Sequence, residues 1–266
     1  MKAVALDLER AAALVAERGT TLGRPLVLLP SATSTNDLAL RAAREGATHG
    51  ATWVAERQTA GRGRRGRTWV SVSGESLLFS VLLRLTCAPA KLPPIGLLCG
   101  LAVRDAVARA APSVPISIKW PNDVLAAGRK LAGVLVEAVT VGSRVEAVVV
   151  GIGINVHTRS FPDDLADSAT SVGLVASGEA PPDRGVLLAD VLQSIDHDLH
   201  IVVARGLGVL RERIAAADVL RGRRVRSDSG EQGVAAGVDD EGRLLVRADD
   251  GVVQRWAAGE VNLVKS

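Results

Sequence analysis

Apolar residues near the start of the chain recur at helical spacing and predict a helix over residues 5–18. The polar run that begins at Ser34 supplies side chains that cap helices, so a second helix of about ten residues is expected to begin there. Stretches rich in Val, Leu and other apolar residues predict strands at residues 25–29, 51–56, 69–72 and 77–85. The first third of the chain therefore combines helices with short strands.

The middle of the chain holds a long apolar segment, Leu92–Ala111, which predicts a buried helix with Pro93 and Pro94 in its first turn. Strands are predicted at residues 116–120, 131–139 and 145–156, separated by a Pro-Asn-Asp turn and an Ala-Gly-Arg turn. Two more helices are expected between Arg184 and Ala217. Because the connections between strands are short, the sheet should be antiparallel or mixed.

Beyond Val219 the pattern changes to alternation of apolar and polar residues, which is typical of strands. Asp-rich turns that end at Gly242 and Gly251 separate the alternating segments. We therefore predict a small C-terminal β-barrel over residues 219–266, named here the C-terminal module. The predicted fold class is α+β, with residues 1–218 forming a mixed or antiparallel sheet flanked by helices.

The positive charge of the chain is concentrated in one place. Residues 57–67, named here the arginine loop, hold five arginines, three glycines and no acid, whereas the whole 266-residue chain has a formal net charge of only +3. A protein that coats nucleic acid spreads Lys and Arg over a whole face. Guanidinium groups on a glycine-rich loop instead indicate a grip on a small anion. We expect a small phosphate-bearing substrate.

The sequence comes close to two phosphate-binding motifs but matches neither. Residues Gly61–Thr68 differ from a P-loop by one residue, yet the β-branched stretch after Trp69 offers no helix to follow the loop. The sequence Gly-Ile-Gly-Ile-Asn155 lacks the third glycine of a dinucleotide fingerprint and does not open a helix. We therefore expect neither a P-loop nor a Rossmann site.

Composition argues against several other classes of protein. The chain has no Tyr, two Phe and four Trp, so aromatic platforms for single-stranded nucleic acid are scarce. Cys87 and Cys99 lack C-x-x-C spacing and the histidines follow no metal-binding pattern, which predicts a reducing compartment and no metal site made by protein side chains. No apolar run reaches the length of a membrane span, so we expect a cytoplasmic protein without membrane contact.

Separated segments carry polar groups that an ordinary core would exclude: Ser34–Asn36, Gln58–Arg67, Lys119–Asp123 with Arg129–Gly133, and Gly151–Asn155. With the motifs GRGRRGR, KWPND, RKLAGVLVE and GIGIN, this set resembles the biotin protein ligase family over about residues 30–266. The resemblance implies a class II synthetase-like catalytic domain followed by the barrel. It also implies that ATP and biotin form biotinyl-5′-adenylate and pyrophosphate, after which biotin passes to one lysine of a carrier domain.

The implied reaction brings a carboxylate to an α-phosphate. Both groups are negative, so preorganised cations are required. By resemblance, Arg64 and Lys130 lie beside the biotin carboxylate and the α-phosphate, and Lys119 faces the polyphosphate, which makes these three the expected catalytic residues. The expected ATP-binding residues are Arg64, Arg67, Trp69, Lys119, Asn122, Asp123 and Asn155. Asn122 and Asp123 are expected near the ribose or Mg²⁺.

The biotin-binding residues that the resemblance implies include neutral groups able to donate and accept hydrogen bonds, as a ureido ring requires. The full set is Ser34, Thr35, Asn36, Gln58, Gly61, Arg62, Gly63, Lys130, Gly133 and Gly151. Gly133 and Gly151 are expected to let the backbone approach the ring. Leu131, Val134 and Leu135 are expected pocket walls, and Trp53 and Trp120 are expected core residues.

The resemblance also implies partners. The expected protein substrate is the biotin carboxyl carrier domain of acyl-CoA carboxylases. Some members of the family carry an N-terminal DNA-binding domain of about sixty residues, whereas thirty-three residues precede Ser34. We therefore expect no sequence-specific DNA binding, and a monomer or weak dimer.

Three other interpretations remain open from the sequence. A lipoate ligase-like acyl transferase would share the implied catalytic fold. A nucleic-acid-binding module that uses the arginine loop would bind RNA oligonucleotides in a salt-sensitive manner without ATP turnover. A non-catalytic biotin-binding protein would keep Ser34–Asn36 without needing Lys119 or Lys130.

Overall fold

A computed structural model of the protein describes residues 6–89, 92–176 and 180–264. Its central sheet contains the strands β1 (Leu26–Leu29), β2 (Thr52–Ala55), β3 (Ser76–Leu83), β4 (Ile116–Lys119), β5 (Asp123–Ala126), β6 (Arg129–Val141) and β7 (Arg144–Asn155). The seven strands follow the order β1-β2-β3-β7-β6-β5-β4. Strands β1 and β2 pair in parallel and the other neighbours pair antiparallel, which confirms the predicted mixed sheet.

Helices cover both faces of this sheet. They are α1 (Leu6–Glu9), α2 (Ala11–Glu17), α3 (Thr35–Arg44), α4 (Pro93–Ala110), α5 (Val172–Val175), α6 (Arg184–Arg205) and α7 (Arg211–Ala217). Alternate residues of β7 enter two different cores, because side chains of a strand alternate between faces. Val150 packs into the main core with α4 and α6, whereas Val149 packs into a smaller core with α3. The domain therefore has three layers.

Helix α3 begins where the sequence predicts. Ser34 is its N-cap, and the Ser34 hydroxyl accepts a hydrogen bond from the Asp37 backbone N–H at 3.4 Å. The cap fixes the start of the helix, so Thr35 and Asn36 fall in its first turn. Both residues are buried against the sheet.

The C-terminal module forms its own antiparallel sheet, as predicted. Its strands are β8 (Arg224–Ser227), β9 (Gln232–Val238), β10 (Leu244–Arg247), β11 (Val253–Trp256) and β12 (Val261–Leu263). They follow the order β11-β10-β9-β8-β12. The indole N–H of Trp120 donates to the Gly242 carbonyl at 2.9 Å, and Val246 and Trp256 join the main core. The module is thus packed onto the large domain.

Three local predictions are wrong. The first predicted helix is interrupted at Arg10, giving α1 and α2. Residues 69–72 form no strand, because the chain there crosses the sheet face with the Trp69 ring against it. Strand β5 lies where the sequence indicated only turns, since a tight hairpin pairs Lys119 with Asp123. Among the described helices, none is both long and apolar enough to cross a membrane.

Candidate functional site

A cavity of about 890 Å³ lies between the sheet, the arginine loop and the C-terminal module. The predicted residues that line it are Ser34, Thr35, Asn36, Gln58, Arg62, Gly63, Arg64, Arg67, Trp69, Lys119, Asn122, Asp123, Lys130, Gly133, Val134, Leu135, Gly151 and Asn155. Two predicted residues do not line it. Gly61 is buried against the Trp69 main chain, and Leu131 packs into the main core. The structure thus brings the separated motifs to one cavity.

Three glycines form the floor of this cavity. Gly133 of β6 lies opposite Gly153 of β7, and Gly151 is two residues away on the same face. A Cβ atom on Gly151 would lie 2.0 Å from Oδ1 of Asn36, and one on Gly153 would lie 2.6 Å from Cε2 of Trp69. The glycines therefore admit two protein side chains. Over Gly151 the Asn36 amide occupies the position that a side chain would take, and the approach of a ligand ring to Gly151 stays a prediction.

One end of the cavity, named here the amide end, consists of Thr35, Asn36 and Gln58, and the fully buried Ser80 is hydrogen-bonded to it. The Gln58 Oε1 atom accepts hydrogen bonds from the backbone N–H of Thr35 at 2.7 Å and from its hydroxyl at 3.1 Å. The Ser80 hydroxyl lies 2.7 Å from the Thr35 hydroxyl and 2.5 Å from Oδ1 of Asn36. Since both lone pairs of Gln58 Oε1 are used, its NH₂ group is the part left for a ligand.

Arg62 is held beside the amide end by two carboxylates. Its guanidinium binds Glu137 through two hydrogen bonds of 3.0 and 2.7 Å, and it forms an ion pair with Asp37 at 2.7 Å. Glu137 also accepts a hydrogen bond from Nδ2 of Asn36 at 2.8 Å. The Arg62 side chain is therefore occupied by protein partners. Neither Ser80 nor Glu137 was predicted, although Glu137 ends the motif RKLAGVLVE.

The other end, named here the cationic end, consists of Arg64, Arg67, Lys119 and Lys130. Lys130 forms an ion pair with Asp123 at 2.7 Å, and Arg64 donates to Oδ1 of Asn122 at 3.0 Å. Burial, together with the charges of Arg65 and Arg67, lowers the pKa of Arg64, but an arginine stays charged at neutral pH. No ion pair is found for Lys119 within the described ranges. The cationic end is suited to a polyanion.

Trp69 lies between the two ends. The Nζ atom of Lys130 lies 5.7 Å from the centroid of the Trp69 ring, within the range of a cation–π contact. The buried indole N–H of Trp69 has no hydrogen-bond partner within the described residues. Asn155, buried at the edge, donates to the Thr170 carbonyl at 3.0 Å. Trp120 is a core residue, as predicted, although it also reaches the cavity wall.

The arginine loop is a tight hairpin. Trp69 N donates to the Gly61 carbonyl at 2.9 Å and Gly63 N donates to the Arg67 carbonyl at 2.7 Å. At the tip Arg65 adopts a left-handed conformation, with φ of 58°. No helix follows the hairpin, which confirms that it is not a P-loop.

The C-terminal module holds the tip of this hairpin. Arg65 pairs with Asp228, and Arg67 pairs with Glu260 at 2.5 Å. Glu260, Val261, Asn262 and Leu263 also line the cavity, as do Phe161 and Leu165 from the loop before α5. These residues were missed, because nothing in the local sequence indicates that separate segments converge there.

Two sequence families match the chain. The Biotin/lipoate A/B protein ligase family matches residues 28–155, and the Biotin protein ligase C terminal domain matches residues 222–264. Together these matches cover both ends of the cavity and the C-terminal module.

Individual proteins are also similar to the chain. The bifunctional ligase/repressor BirA of Bacillus spizizenii is 36% identical over 243 residues, which are 89% of this chain and 74% of that protein. The biotin–[acetyl-CoA-carboxylase] ligase of Mycobacterium tuberculosis is 37% identical over 232 residues, which are 84% of this chain and 83% of that protein. A solved structure of biotin protein ligase from Aquifex aeolicus with biotin and ATP has a TM-score of 0.77 at 30% identity, covering 90% of this chain and 98% of that one. The chain belongs to the biotin protein ligase family.

Proposed function

We propose that this cavity performs both half-reactions of the family in one place. The chain is an ATP-dependent biotin–protein ligase. The placement of the substrates rests on one observation: a single cavity has an amide end and a cationic end. Strand β6 runs from Lys130 at the cationic end to Glu137 beside the amide end, a distance of about 23 Å for seven residues.

Biotin is placed with its ureido ring at the amide end. The NH₂ group of Gln58 is free to donate to the ureido oxygen, because the Gln58 oxygen is occupied by Thr35. The hydroxyls of Ser34 and Thr35 offer further polar contacts. Val134 and Leu135 supply apolar wall for the thiophane ring and valeryl chain, which leads toward Lys130. The carboxylate of biotin then lies at the cationic end.

ATP is placed at the cationic end, with its α-phosphate beside Arg64 and Lys130 and its polyphosphate beside Lys119. A biotin carboxylate oxygen attacks the α-phosphorus, and the bond from that phosphorus to the β-bridging oxygen breaks. Pyrophosphate leaves with the electron pair, and biotinyl-5′-adenylate remains. Fixed guanidinium and ammonium groups lower the barrier, because they offset the repulsion of two anions and the charge of the leaving group.

The second half-reaction consumes the adenylate. The neutral ε-amine of a carrier lysine attacks the carbonyl carbon of the mixed anhydride, AMP leaves, and the amine loses one proton. We assign the biotin carboxyl carrier domain of a carboxylase as this partner. We also propose that residues 1–218 form the adenylate-forming domain, that residues 219–266 form a separate one, and that the enzyme acts as a monomer or weak dimer.

ATP use by the family implies Mg²⁺. The described residues contain no group of three or more His, Cys, Asp or Glu side chains arranged to hold a metal. The acids that line the cavity are Asp123 and Glu260. Such a sparse donor set fits an ion that keeps mostly water and phosphate ligands. We assign Asp123, next to Lys130, as the residue that would hold Mg²⁺, whose charge would neutralise phosphate.

Calorimetric titration of two variants tests the placement. Asn36→Ala should weaken biotin binding by about 10-fold, as expected for one lost hydrogen bond in a buried site, and leave ATP binding within about twofold. Lys119→Ala should weaken ATP binding and spare biotin. If both variants weakened both ligands equally, the division of the cavity into two ends would be wrong.

A further inference from the structure

Glu137 lies beside the amide end, and neither half-reaction described above uses its carboxylate. It lies on β6, four residues beyond Gly133 and on the same face, and the exposed fraction of its side chain is 25%. A half-buried carboxylate inside a sheet is stable only with several donors. The donors that hold Glu137 therefore indicate which parts of the site it orients.

Two functional segments meet at this carboxylate. The Oε2 atom of Glu137 accepts hydrogen bonds from Nη2 of Arg62 at 2.7 Å and from Nδ2 of Asn36 at 2.8 Å, while Oε1 accepts from Nη1 of Arg62 at 3.0 Å. Arg62 belongs to the arginine loop, and Asn36 to the first turn of α3. Within the described residues, Glu137 is the one side chain that hydrogen-bonds to both Asn36 and Arg62.

The contact fixes the polarity of the Asn36 amide. Its NH₂ group points to Glu137 and its oxygen to Ser80, and Gly151 leaves no space on the floor side. An amide that flipped would place its oxygen against the Glu137 carboxylate. Glu137 thereby determines which hydrogen-bonding group Asn36 presents at the amide end.

The same contact fixes one end of the arginine loop. Arg62 is held on the large domain by Glu137 and Asp37, whereas Arg65 and Arg67 at the tip are held on the C-terminal module. Glu137 thus orients the near side of the hairpin with the same carboxylate that orients Asn36.

We infer that Glu137 is a positioning residue for biotin, which sets the Asn36 amide and docks Arg62 over the ureido ring. The inference rests on the proposed placement of that ring at the amide end. It assigns the last residue of the motif RKLAGVLVE to substrate specificity, and it gives Glu137 no part in the attack on phosphorus.

The test compares Glu137→Gln with Glu146→Gln in steady-state kinetics. Three N–H groups, two from Arg62 and one from Asn36, donate to the two oxygens of Glu137. A glutamine has only one oxygen, so its NH₂ group would face at least one of these donors. Glu137→Gln should raise KM for biotin about 10-fold, on the scale of one charge-assisted hydrogen bond, while KM for ATP stays within about twofold. Glu146 is exposed on the neighbouring strand β7, so Glu146→Gln should match the unmodified protein in both constants.

A double-mutant cycle separates positioning from general stability. Arg62→Gln alone should also raise KM for biotin, and the double variant Arg62→Gln/Glu137→Gln should be no worse than the poorer single variant. If Glu137→Gln melts below the assay temperature, Glu137→Asp keeps the charge and should give a smaller rise in KM for biotin alone. Equal rises in both KM values, or additive effects in the cycle, would overturn the inference.

The outcome for Asn36→Ala distinguishes the two levels of the account. If Asn36→Ala leaves biotin binding unchanged, the proposed placement of the ring fails and the role of Glu137 fails with it. If Asn36→Ala weakens biotin binding and Glu137→Gln does not raise KM for biotin, only the role of Glu137 is wrong.

Discussion

Individual charged residues decide the chemistry of this cavity, and Lys130 and Arg64 are central among them. Lys130→Ala and Arg64→Ala should each reduce adenylate formation by about 10² or more, the scale for loss of one preorganised electrostatic donor. Arg57→Ala is the matched control, because Arg57 is exposed and does not line the cavity. Single-turnover formation of biotinyl-adenylate measures the effect. A near-normal rate in either variant would remove that residue from the catalytic set.

Two glycines on one strand should separate the two substrates. Gly151→Ala would push the Asn36 amide aside and should raise KM for biotin about 10-fold or more, since small misplacements carry large kinetic effects. Gly153→Ala would displace Trp69 and should act on KM for ATP instead. Gly100→Ala in α4, where a Cβ meets nothing within 4 Å, should leave both constants unchanged. Identical kinetic defects at Gly151 and Gly153 would contradict the two-ended cavity.

The sequence predicted residue types better than their contacts. The motifs shared with the biotin protein ligase family identified Asn36, Gln58 and Gly151 as candidate members of the site. They could not predict that the Asn36 amide fills the space over Gly151. That contact depends on the packing of α3 over β7, which are more than a hundred residues apart in the chain.

Among the helices, α7 ends at a buried carboxylate, that of its C-cap residue Asp218. Asp218 accepts a hydrogen bond from Leu220 N at 2.9 Å through Oδ1, while its buried Oδ2 has no partner in the described part of the chain. Burial raises the pKa of Asp218. Well below pH 3.8 the carboxyl is protonated in folded and unfolded chains alike, and the penalty of the buried charge develops as pH rises from there through the raised pKa of the folded state.

Asp218→Asn should therefore stabilise the protein at neutral pH. The amide keeps the Oδ1 acceptor and removes the buried charge, for a gain of about 1 kcal/mol in the free energy of unfolding. Urea unfolding at pH 7.5 and pH 4 measures it, and the gain should shrink at the lower pH. Asp164→Asn, at an exposed position, is the control. A gain that is equal at both pH values would rule out the electrostatic cause.

Most elements followed from local pattern, and the exceptions share a cause. Long periodic segments such as α4 and β7 were predicted within a few residues. Residues 69–72 have the composition of a strand, but the Trp69 ring fits the gap over Gly133 and Gly153, and this tertiary contact overrides the local preference. Strand β5 was missed because its four residues lie between two turns.

In the whole molecule, the arginine loop contacts both the central sheet and the C-terminal module. Its tip is held by the exposed ion pairs of Arg65 with Asp228 and of Arg67 with Glu260, and such pairs are individually weak. The loop has no large apolar anchor, and ordering its backbone costs about 1–2 kcal/mol per residue. Because Arg67 and Glu260 both line the cavity, we expect substrate phosphate to compete with Glu260 for the Arg67 guanidinium.

We therefore expect the loop to be mobile without ligand and ordered with it. Amide hydrogen exchange and tryptic cleavage between Arg62 and Arg67 should be fast in the free protein and strongly slowed by biotinyl-adenylate, which closure protects from water. Exchange within β7 should not change and serves as the internal control. Equal protection with and without the adenylate would mean that the hairpin is preformed.

Exchange of labelled pyrophosphate into ATP shows whether this one cavity activates biotin with ATP. The reverse of adenylate formation must incorporate label, so we predict exchange that requires biotin and is lost in Lys130→Ala. Lipoate in place of biotin should support little exchange. Exchange that proceeds without biotin, or that lipoate supports as well as biotin does, would contradict the account.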